Sequence, residues 1–436
     1  MKRMKNKKHK KTIRLCGYIL CAAFFIALIG GKFANTQEKQ KPQEEKEQVQ
    51  KNKSDKNTKK IRVLLMTTGY KGTYHSKVTV SAEGGMVLSA GKKKIKIPSG
   101  KSISIKPDDA RFKYSVIRLK PNSGAIAVES IQRGRGTAVY NGTLEVRRAG
   151  GKIVLINELP VEKYLCAVVP SEMGASYELE ALKAQAVCAR SYAYQQMQNY
   201  AYPKYKAHVN DSTAYQVYGN FSPAERSTKA VKETAGEVVK YKGKLATTYY
   251  YSTSCGRTTT VKAWGSAPSS KNSYLKSVRV KGTKGDYEKK QPWYRWNVIV
   301  SKIELEKIIQ NNTGKEIGKI RTVRITEYGP GGVALKLKVT GSKGKLVVST
   351  ENKIRTALAG NYDIVRQDGS KVKFPTLLPS AFITIVKEGD FFHIKGGGFG
   401  HGIGMSQSGA NEMARQGKDY KEILKLFYSD IRIEKS

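Results

Sequence analysis

A glutamate just before a predicted helix is the first candidate for acid–base chemistry. Pro170-Ser171-Glu172-Met173 follows an apolar run, Leu165 to Val169, that indicates a strand, and Tyr177 to Gln198 has the three-and-four apolar spacing of a helix with one buried face, capped by Ser176. A carboxyl group in such apolar company loses hydration, which raises its pKa and lets Glu172 donate a proton near neutral pH. The alternative is a helix-entry glutamate stabilised by the helix dipole.

Two polar side chains are expected on this helix. Gln185 falls between Leu182 and Ala189 on the face that should be buried, where an amide needs a hydrogen-bond partner. Arg190 follows about one turn later and can offer its guanidinium to a sugar or acidic oxygen, with an ordinary exposed arginine as the alternative.

A glycine-rich stretch, Gly396 to Gln407, is the second candidate region. Glycines at this density indicate that the backbone approaches a substrate or another strand closely. The spacing matches neither a phosphate-binding loop, a dinucleotide-binding loop nor a serine-hydrolase elbow. Within it, His401 is a candidate for proton transfer or orientation, and a hydrogen-bonded loop histidine is the alternative.

Hydroxyl side chains between Tyr249 and Thr258 form the third region, at the end of a predicted strand. They suit saccharide hydroxyls, although turns have a similar composition. Cys255 has no His or Asn partner in the sequence and is expected to be structural. The five histidines and five cysteines show no metal-ligand spacing, so neither a metal nor a cofactor is predicted.

The elements around these regions predict an α+β fold. Residues 61–139 consist of short β-branched runs separated by Gly and Pro, which indicates a small all-β accessory domain. Residues 140–436 mix strands and helices without βαβ alternation, beginning with a hairpin over 142–157. Two helices are predicted near the end, Ser406 to Arg415 and Tyr420 to Tyr428, the second introduced by a capping box of Asp419 and Glu422.

Charge and the N-terminal segment restrict the partners. The 436 residues carry a formal net charge of +44, which favours polyanions such as nucleic acid, an acidic membrane or a wall polymer. Residues 1–14 are basic and 15–31 are uncharged and apolar, so we expect a cytoplasmic tail and either a retained transmembrane anchor or a cleaved signal peptide. Residues 32–60 are polar and predict a disordered linker. Both interpretations export the body, which argues against nucleic acid.

Three segments taken together resemble the stage II sporulation protein D family, which also includes amidase enhancers of the bacterial cell wall. They are Tyr164 to Met173, Glu180 to Val187 and Gly398 to Ala410. The resemblance extends over roughly residues 140–432. It implies an exported peptidoglycan protein whose β-rich catalytic domain has a few helices around a glycan cleft, preceded by the small all-β domain and a membrane helix.

The resemblance also implies residue roles. Glu172 matches the catalytic glutamate of the family. The residues that match its substrate-binding positions are Gln185, Arg190, Ser191, Tyr192, Asp211, Gln216, Ser252, Ser254, His401, Ser406 and Gln407. Some relatives have zinc-ligating cysteines near Asp211, where this chain offers only His208, so no metal is expected. Arg257 stands where the family usually has a second glycine.

The function that the resemblance implies is a lytic transglycosylase. Such an enzyme cleaves the bond between N-acetylmuramic acid and N-acetylglucosamine to a 1,6-anhydro product, on strands that an amidase has stripped of stem peptides during sporulation. The alternative is a non-catalytic amidase enhancer that binds glycan. The expected partners are glycan strands, a cell-wall amidase, anionic wall polymers and, through the N-terminal helix, the membrane.

Overall fold

The computed structural model describes residues 59–436 except 115, 135, 175 and 220–223. The described residues form a strand-rich fold with seven α-helices and no regular βαβ alternation, which confirms the α+β class. The predicted tail, anchor or signal peptide and nearly all of the predicted linker lie outside the described residues. None of the helices described is long and apolar enough to cross a bilayer.

The elements are numbered in chain order. The strands up to residue 210 are β1 (Lys60–Leu65), β2 (Val78–Ser81), β3 (Met86–Ala90), β4 (Lys93–Ile97), β5 (Ile103–Ile105), β6 (Val116–Pro121), β7 (Ile126–Arg133), β8 (Gly136–Tyr140), β9 (Thr143–Ala149), β10 (Lys152–Pro160) and β11 (Val209–Asn210). The later strands are β12 (Glu237–Tyr241), β13 (Lys244–Leu245), β14 (Tyr250–Tyr251), β15 (Lys281–Gly282), β16 (Gly285–Asp286), β17 (Trp296–Ser301), β18 (Ile320–Tyr328), β19 (Ala334–Gly341), β20 (Gly344–Ser349), β21 (Ile364–Arg366), β22 (Lys371–Val372), β23 (Ile383–Glu388), β24 (Phe391–Gly396), β25 (Met405–Ser406) and β26 (Ile431–Lys435). The helices are α1 (Val161–Glu172), α2 (Leu179–Gln196), α3 (Glu225–Glu233), α4 (Lys302–Thr313), α5 (Glu351–Ala357), α6 (Gln407–Arg415) and α7 (Tyr420–Phe427).

Two sheets occupy the first part of the described chain. One has seven strands in the order β11-β1-β10-β9-β6-β3-β4, and the other has four in the order β5-β2-β7-β8. The predicted hairpin over 142–157 is confirmed as β9 and β10, which pair antiparallel. Strands from both sides of residue 140 share the seven-stranded sheet, and the domain boundary predicted there stays a prediction.

Helix α1 corrects the strand predicted for Leu165 to Val169. Tyr164, Leu165, Val168 and Val169 are all buried, and this spacing places them on one side of a helix. Pro170 does not stop the helix at once, because its missing N–H removes only one backbone hydrogen bond of the last turn. Glu172 is therefore the last residue of a helix and does not lie on a turn after a strand.

Helix α2 packs against α1, α3, α6 and α7. Its predicted buried face is confirmed at Leu182, Ala186, Ala189 and Ala193. The predicted start at residue 177 with Ser176 as the cap was wrong, since the helix begins at Leu179. The backbone N–H of the residue before it donates to Asn411 Oδ1 of α6 at 2.8 Å, so a distant helix supplies the interaction at this end.

The remaining strands form small sheets that bring the end of the chain back to its middle. A five-stranded sheet has the order β22-β21-β17-β24-β23, and β18, β19 and β20 form another. Strand β26 pairs with β12, while β25 pairs parallel with β14 and so places Tyr251 beside Ser406. The capping box of Asp419 and Glu422 is confirmed at the start of α7.

A buried ion pair joins the four-stranded sheet to the segment after β11. Arg133 Nη2 lies 2.5 Å from Asp211 Oδ2, and their side chains are 1% and 0% exposed. Asp211 Oδ1 also accepts from the backbone N–H of Met66 at 2.9 Å. Asp211 therefore connects three segments of the chain through hydrogen bonds.

We predict that Asp211→Ala lowers the free energy of unfolding by about 3–5 kcal/mol, because it leaves the buried Arg133 guanidinium without a counter-charge. Urea denaturation followed by circular dichroism measures the change. Lys276→Ala is the control: it breaks an ion pair with Asp430 whose side chains are 56% and 71% exposed, and should cost less than about 1 kcal/mol. Equal losses in the two variants would contradict this role for Asp211.

Candidate active site

The end of helix α1 opens into a cavity of about 340 Å³. Six separate segments of the chain form its wall. The lining residues are Glu172, Tyr192, Thr213, Ala214, Tyr215, Gln216, Val217, Thr248, Tyr249, Tyr250, Trp264 and His401. Glu172 is the only carboxylate among them, and five of the other eleven residues are tyrosine or tryptophan.

Glu172 is held in this cavity by a small number of hydrogen bonds. Its Oε1 accepts from the backbone N–H of Val217 at 2.7 Å, and the Tyr250 hydroxyl also bonds the carboxyl group. Burial raises the pKa of Glu172 to about 7, because loss of hydration outweighs the two hydrogen bonds that favour the carboxylate. The carboxyl group can therefore carry its proton near neutral pH and release it readily.

Gln216 fixes the position of Tyr250 beside the carboxyl group. Its Nε2 donates to the Tyr250 hydroxyl and to the Ala189 carbonyl, both at 3.2 Å, while its Oε1 accepts from Tyr164 at 3.3 Å. The amide is buried and fully bonded, so it holds α1, α2 and β14 in one arrangement around Glu172.

Close packing of the glycine-rich stretch on β14 places His401 in the cavity wall. Gly404 has φ +77°, and a Cβ there would lie 2.1 Å from the Tyr249 carbonyl oxygen. A Cβ at Gly400, at φ +118°, would lie 2.7 Å from Tyr251 Cβ. Any larger residue would push the loop away from the strand, which agrees with the close approach that the glycines predict.

His401 is neutral and held at both ring nitrogens. Nε2 lies 3.0 Å from the Tyr250 carbonyl, and Nδ1 accepts from the backbone N–H of Ile403 at 3.1 Å, so the proton is on Nε2. Burial and the charge of Arg355 lower the pKa of His401 to about 4. The geometry favours the loop-orienting role over proton transfer. Release of the proton from Nε2 or uptake of a proton at Nδ1 would break an existing hydrogen bond.

Gln407 and Gln185 support the backbone behind Glu172. Gln407, the first residue of α6, donates from Nε2 to the Glu172 carbonyl at 3.3 Å and to Gln185 Oε1 at 3.4 Å. Gln185 is fully buried and does not line the cavity. Gln407 therefore supports Glu172 at its backbone carbonyl, Gln185 contacts Gln407, and neither side chain lines the cavity.

Family models match two parts of the chain that contribute residues to this cavity. A family model described as Stage II sporulation protein matches residues 149–241, which include Glu172 and Gln216. A model for a domain of unknown function matches residues 256–404. Stage II sporulation protein D of Bacillus amyloliquefaciens is 31% identical over 297 residues, which are 64% of this chain and 76% of that protein. The chain belongs to the stage II sporulation protein D family.

Two further relatives differ in how much of their length is matched. An uncharacterized protein of Brachyspira hyodysenteriae is 34% identical over 295 residues, 67% of this chain and 72% of that protein. The amidase enhancer of Bacillus subtilis is 31% identical over 300 residues, 61% of this chain but only 39% of that protein. The family assignment therefore does not by itself decide whether this chain is catalytic.

Several residues that match the family's binding positions lie away from the cavity. Arg190 is fully buried and its guanidinium forms two hydrogen bonds with Glu162, at 2.7 and 2.8 Å. Ser191 Oγ donates to the Val187 carbonyl and accepts from the backbone N–H of Val239. These two residues join α2 to its neighbours, as Asp211 joins the sheets. Of the matched residues besides Glu172, the cavity contains Tyr192, Gln216 and His401.

A second buried glutamate, which was not predicted from the sequence, holds two of the matched serines. Glu288 is fully buried; its Oε1 accepts from Ser254 N at 2.7 Å and from Ser406 Oγ at 2.6 Å, and its Oε2 bonds Ser254 Oγ. Ser406 also caps α6 and thereby fixes Gln407. Ser252 lies beside this group, with its hydroxyl 3.1 Å from Thr253 Oγ1. The local sequence around Glu288 is polar and gives no sign of its burial.

The described residues 59–436, with the gaps named above, bring no three His, Cys, Asp or Glu side chains together where they could hold a metal ion. His208, the family-position residue considered for zinc, stacks on Tyr200 at 4.8 Å. Its Nδ1 accepts from the backbone N–H of Arg62 at 3.0 Å.

Titration of Glu288 provides a prediction about stability. Burial raises its pKa to about 7, so between about pH 4.5 and 7 the folded state keeps a proton that the unfolded chain has lost. Wild-type stability should therefore fall through this range relative to Glu288→Gln, by about 1–3 kcal/mol in total. Urea unfolding of both proteins at several pH values measures the two free energies of unfolding. The buried histidines titrate in both proteins, so the difference between the two pH profiles reports on Glu288.

Glu422→Gln is the matched control for this experiment. Lys418 lowers the pKa of the exposed Glu422, so this group changes stability only below about pH 4.5. Its replacement should leave the profile between pH 5 and 7 unchanged. A Glu288→Gln profile parallel to that of the wild type would show that Glu288 is ionised in the folded protein.

Proposed function

We propose that this protein is a lytic transglycosylase that cleaves peptidoglycan glycan strands between N-acetylmuramic acid and N-acetylglucosamine. The observation that carries the proposal is the carboxyl group of Glu172, which lies in a cavity and has its pKa raised to about 7 by burial. Such a group can act first as an acid and then as a base at neutral pH. Membership of the stage II sporulation protein D family supports this substrate class.

In the proposed reaction Glu172 acts twice. The protonated carboxyl group gives its proton to the glycosidic oxygen while the bond from that oxygen to muramoyl C1 breaks, producing an oxocarbenium-like transition state. The carboxylate then takes the proton of the muramoyl C6 hydroxyl, and the C6 oxygen bonds to C1. The products are a 1,6-anhydro end and a new N-acetylglucosamine hydroxyl, and the acid is restored without consumption of water.

The absence of a second carboxylate from the lining residues supports an internal nucleophile. Glycosidases that use water or a covalent intermediate need a second carboxylate beside the acid. The lining here offers Glu172 alone, with His401 held neutral by its two hydrogen bonds. The C6 hydroxyl of the substrate would supply the nucleophile that the lining lacks.

Aromatic side chains in the cavity are suited to holding sugar rings. Tyr249 and Trp264 meet edge to face at 4.7 Å, and Trp264 Nε1 donates to Glu351 Oε1, so the rings are fixed before a ligand binds. We propose that Tyr192 contacts the glycan with them, and that Gln216 acts as a positioning residue for Tyr250. Gln185, Ser254, Ser406 and Gln407 are proposed as positioning residues behind the cavity.

The cellular setting is also a proposal. The relatives' names favour a role at the cell wall during sporulation, with an amidase as partner. We propose that residues 15–31 hold the protein at the membrane and that its positive charge attracts anionic wall polymers. The preferred substrate would be strands whose stem peptides an amidase has removed.

A non-catalytic amidase enhancer is the second candidate, favoured by the 31% identity to the Bacillus subtilis protein of that name. In this case the cavity would bind glycan, and the chain would stimulate a separate amidase. Glu172 would then be dispensable for the effect, which distinguishes this candidate from the enzyme.

We predict that Glu172→Gln reduces release of 1,6-anhydro fragments from peptide-free strands by at least ~100-fold, because the amide cannot transfer the proton. Binding of the strands should persist, since Gln can still accept from Val217 N–H. Mass spectrometry of the released fragments measures the product, and co-sedimentation measures binding. Glu225→Gln, which replaces an exposed carboxylate on α3, should retain full activity.

Two results would decide against the enzyme. The first result is that the wild type binds strands but releases no anhydro product, and that wild type and Glu172→Gln stimulate an amidase equally. This result would identify an enhancer. Equal anhydro release by wild type and Glu172→Gln would mean that another group is the acid.

A further inference from the structure

A second cavity, of about 660 Å³, has five cationic side chains in its lining. We call it the cationic cleft. Its five cationic side chains, all exposed to solvent, are Arg257, Arg279, Lys281, Arg295 and Lys395. Asp286 is the only carboxylate in the lining, and within the described part of the chain none of the five cations forms an ion pair. The cleft therefore presents a concentrated positive charge to solvent.

Two arginines of the cleft are directly opposite each other. Arg257 and Arg279 pair in an antiparallel bridge, flanked by hydrogen bonds from Thr258 N to Val278 O and from Val280 N to Gly256 O, each of 3.0 Å. Like charges in opposite positions of such a pair repel each other and destabilise it. A bound anion between the two guanidinium groups would remove this repulsion.

A third arginine is fixed at the same cleft. Arg295 Nη1 donates to the carbonyls of Cys255 and Tyr294 at 3.1 and 2.7 Å, and its guanidinium lies 3.9 Å from the Tyr294 ring centroid. Holding the group in place lowers the entropy that an anionic ligand would lose on binding. Arginine also binds carboxylates through two parallel hydrogen bonds.

Aromatic rings beside the cations favour a sugar as the carrier of the anion. Tyr328 is 49% exposed, and Phe382 is half-buried; both line the cleft. Apolar ring faces next to charged groups suit a pyranose that carries an acid, since the sugar has an apolar face as well as a charge. A polyol phosphate chain has no such face.

The cationic cleft is connected to the candidate active site by two paired segments. One runs from Tyr250 to Cys255 and the other from Gly397 to His401; Thr253 and Phe399 join them by hydrogen bonds of 3.0 and 2.7 Å. Each segment begins in one cavity and ends in the other. The shorter segment, Gly397 to His401, has five residues and spans at most about 18 Å. The two cavities therefore lie close enough for one polymer to occupy both.

We propose that the cationic cleft binds the lactyl carboxylates of peptide-free N-acetylmuramic acid residues on the strand that occupies the active site. This inference rests on the proposed function. Hydrolysis of the amide between the lactyl group and the stem peptide leaves a carboxylate on each muramic acid, whereas an intact strand has a neutral amide there. The cleft would therefore give the protein its preference for peptide-free strands.

The test compares two glycan probes and two matched variants in the full chain, all carrying Glu172→Gln to prevent cleavage. The probes are peptide-free strands and the same strands with their carboxylates converted to primary amides. Arg279→Gln/Lys281→Gln removes two charges from the cleft, and Lys92→Gln/Lys94→Gln removes two exposed charges elsewhere. Circular dichroism and the thermal midpoint check that both variants fold as the parent does.

We predict that the parent binds the carboxylated strands about tenfold more tightly than the amidated ones, since each exposed ion pair contributes up to about fivefold. The cleft variant should lose about tenfold in affinity for the carboxylated strands and nothing for the amidated ones. The control variant should match the parent on both probes, and added salt should remove the preference.

Other outcomes would overturn the proposal in distinguishable ways. Strand binding that does not depend on the carboxylates or on the cleft removes this inference and leaves the proposed function intact. No binding of either strand by the parent removes both. Cleft-dependent binding of polyglycerol phosphate or a single-stranded oligonucleotide that exceeds binding of the carboxylated strands would assign the cleft to a phosphate polymer instead.

Discussion

Loss of hydration at one carboxyl group is the interaction on which the proposed chemistry depends. Glu172 receives one backbone N–H and one tyrosine hydroxyl, and these do not compensate for the water removed around it. Burial destabilises the ionised carboxylate and so raises the pKa of Glu172 to about 7. This value suits an acid that must later act as a base. Most of the surrounding structure serves to keep this group in a cavity that a sugar can enter.

That cavity exists only because distant parts of the chain meet. Helix α1 supplies Glu172, the segment before residue 218 supplies its hydrogen-bond donor, and the parallel pairing of β14 with β25 brings Tyr250 to the glycine-rich stretch. Glu288 then fixes the start of α6 through Ser406, and Gln407 returns to the Glu172 carbonyl. Hydrogen bonds among buried polar groups thus link the cavity to the helices behind it.

Elements whose structure is local could be predicted from the sequence. The hairpin of β9 and β10, the capping box of α7 and the buried face of α2 depend on residues close together in sequence, and all are confirmed. The strand predicted for Leu165 to Val169 was wrong, because a short apolar run is compatible with both a buried strand and a buried helix. Pro170 lies in the last turn of α1 and does not end it.

Long-range partners could not be predicted in the same way. Arg190 and Asp211 are charged residues whose polar character suits a binding site, but each is buried with an opposite charge far away in sequence. Glu288 lies in a polar, lysine-rich segment, and the serines that bind its carboxylate, Ser254 and Ser406, are more than thirty residues away in sequence. The family resemblance selected the four cavity residues Glu172, Tyr192, Gln216 and His401, but it did not distinguish them from matched residues that lie elsewhere.

The most direct test of the account is the protonation equilibrium of Glu172 itself. The protein would be labelled with ¹³C at the glutamate side-chain carboxyl carbons, and Glu172→Gln would identify the signal by its loss. The account predicts that this signal titrates with a pKa of about 7. A pKa near the ordinary glutamate value of about 4.3 would contradict it, because the group would then be ionised at neutral pH and have no proton to give.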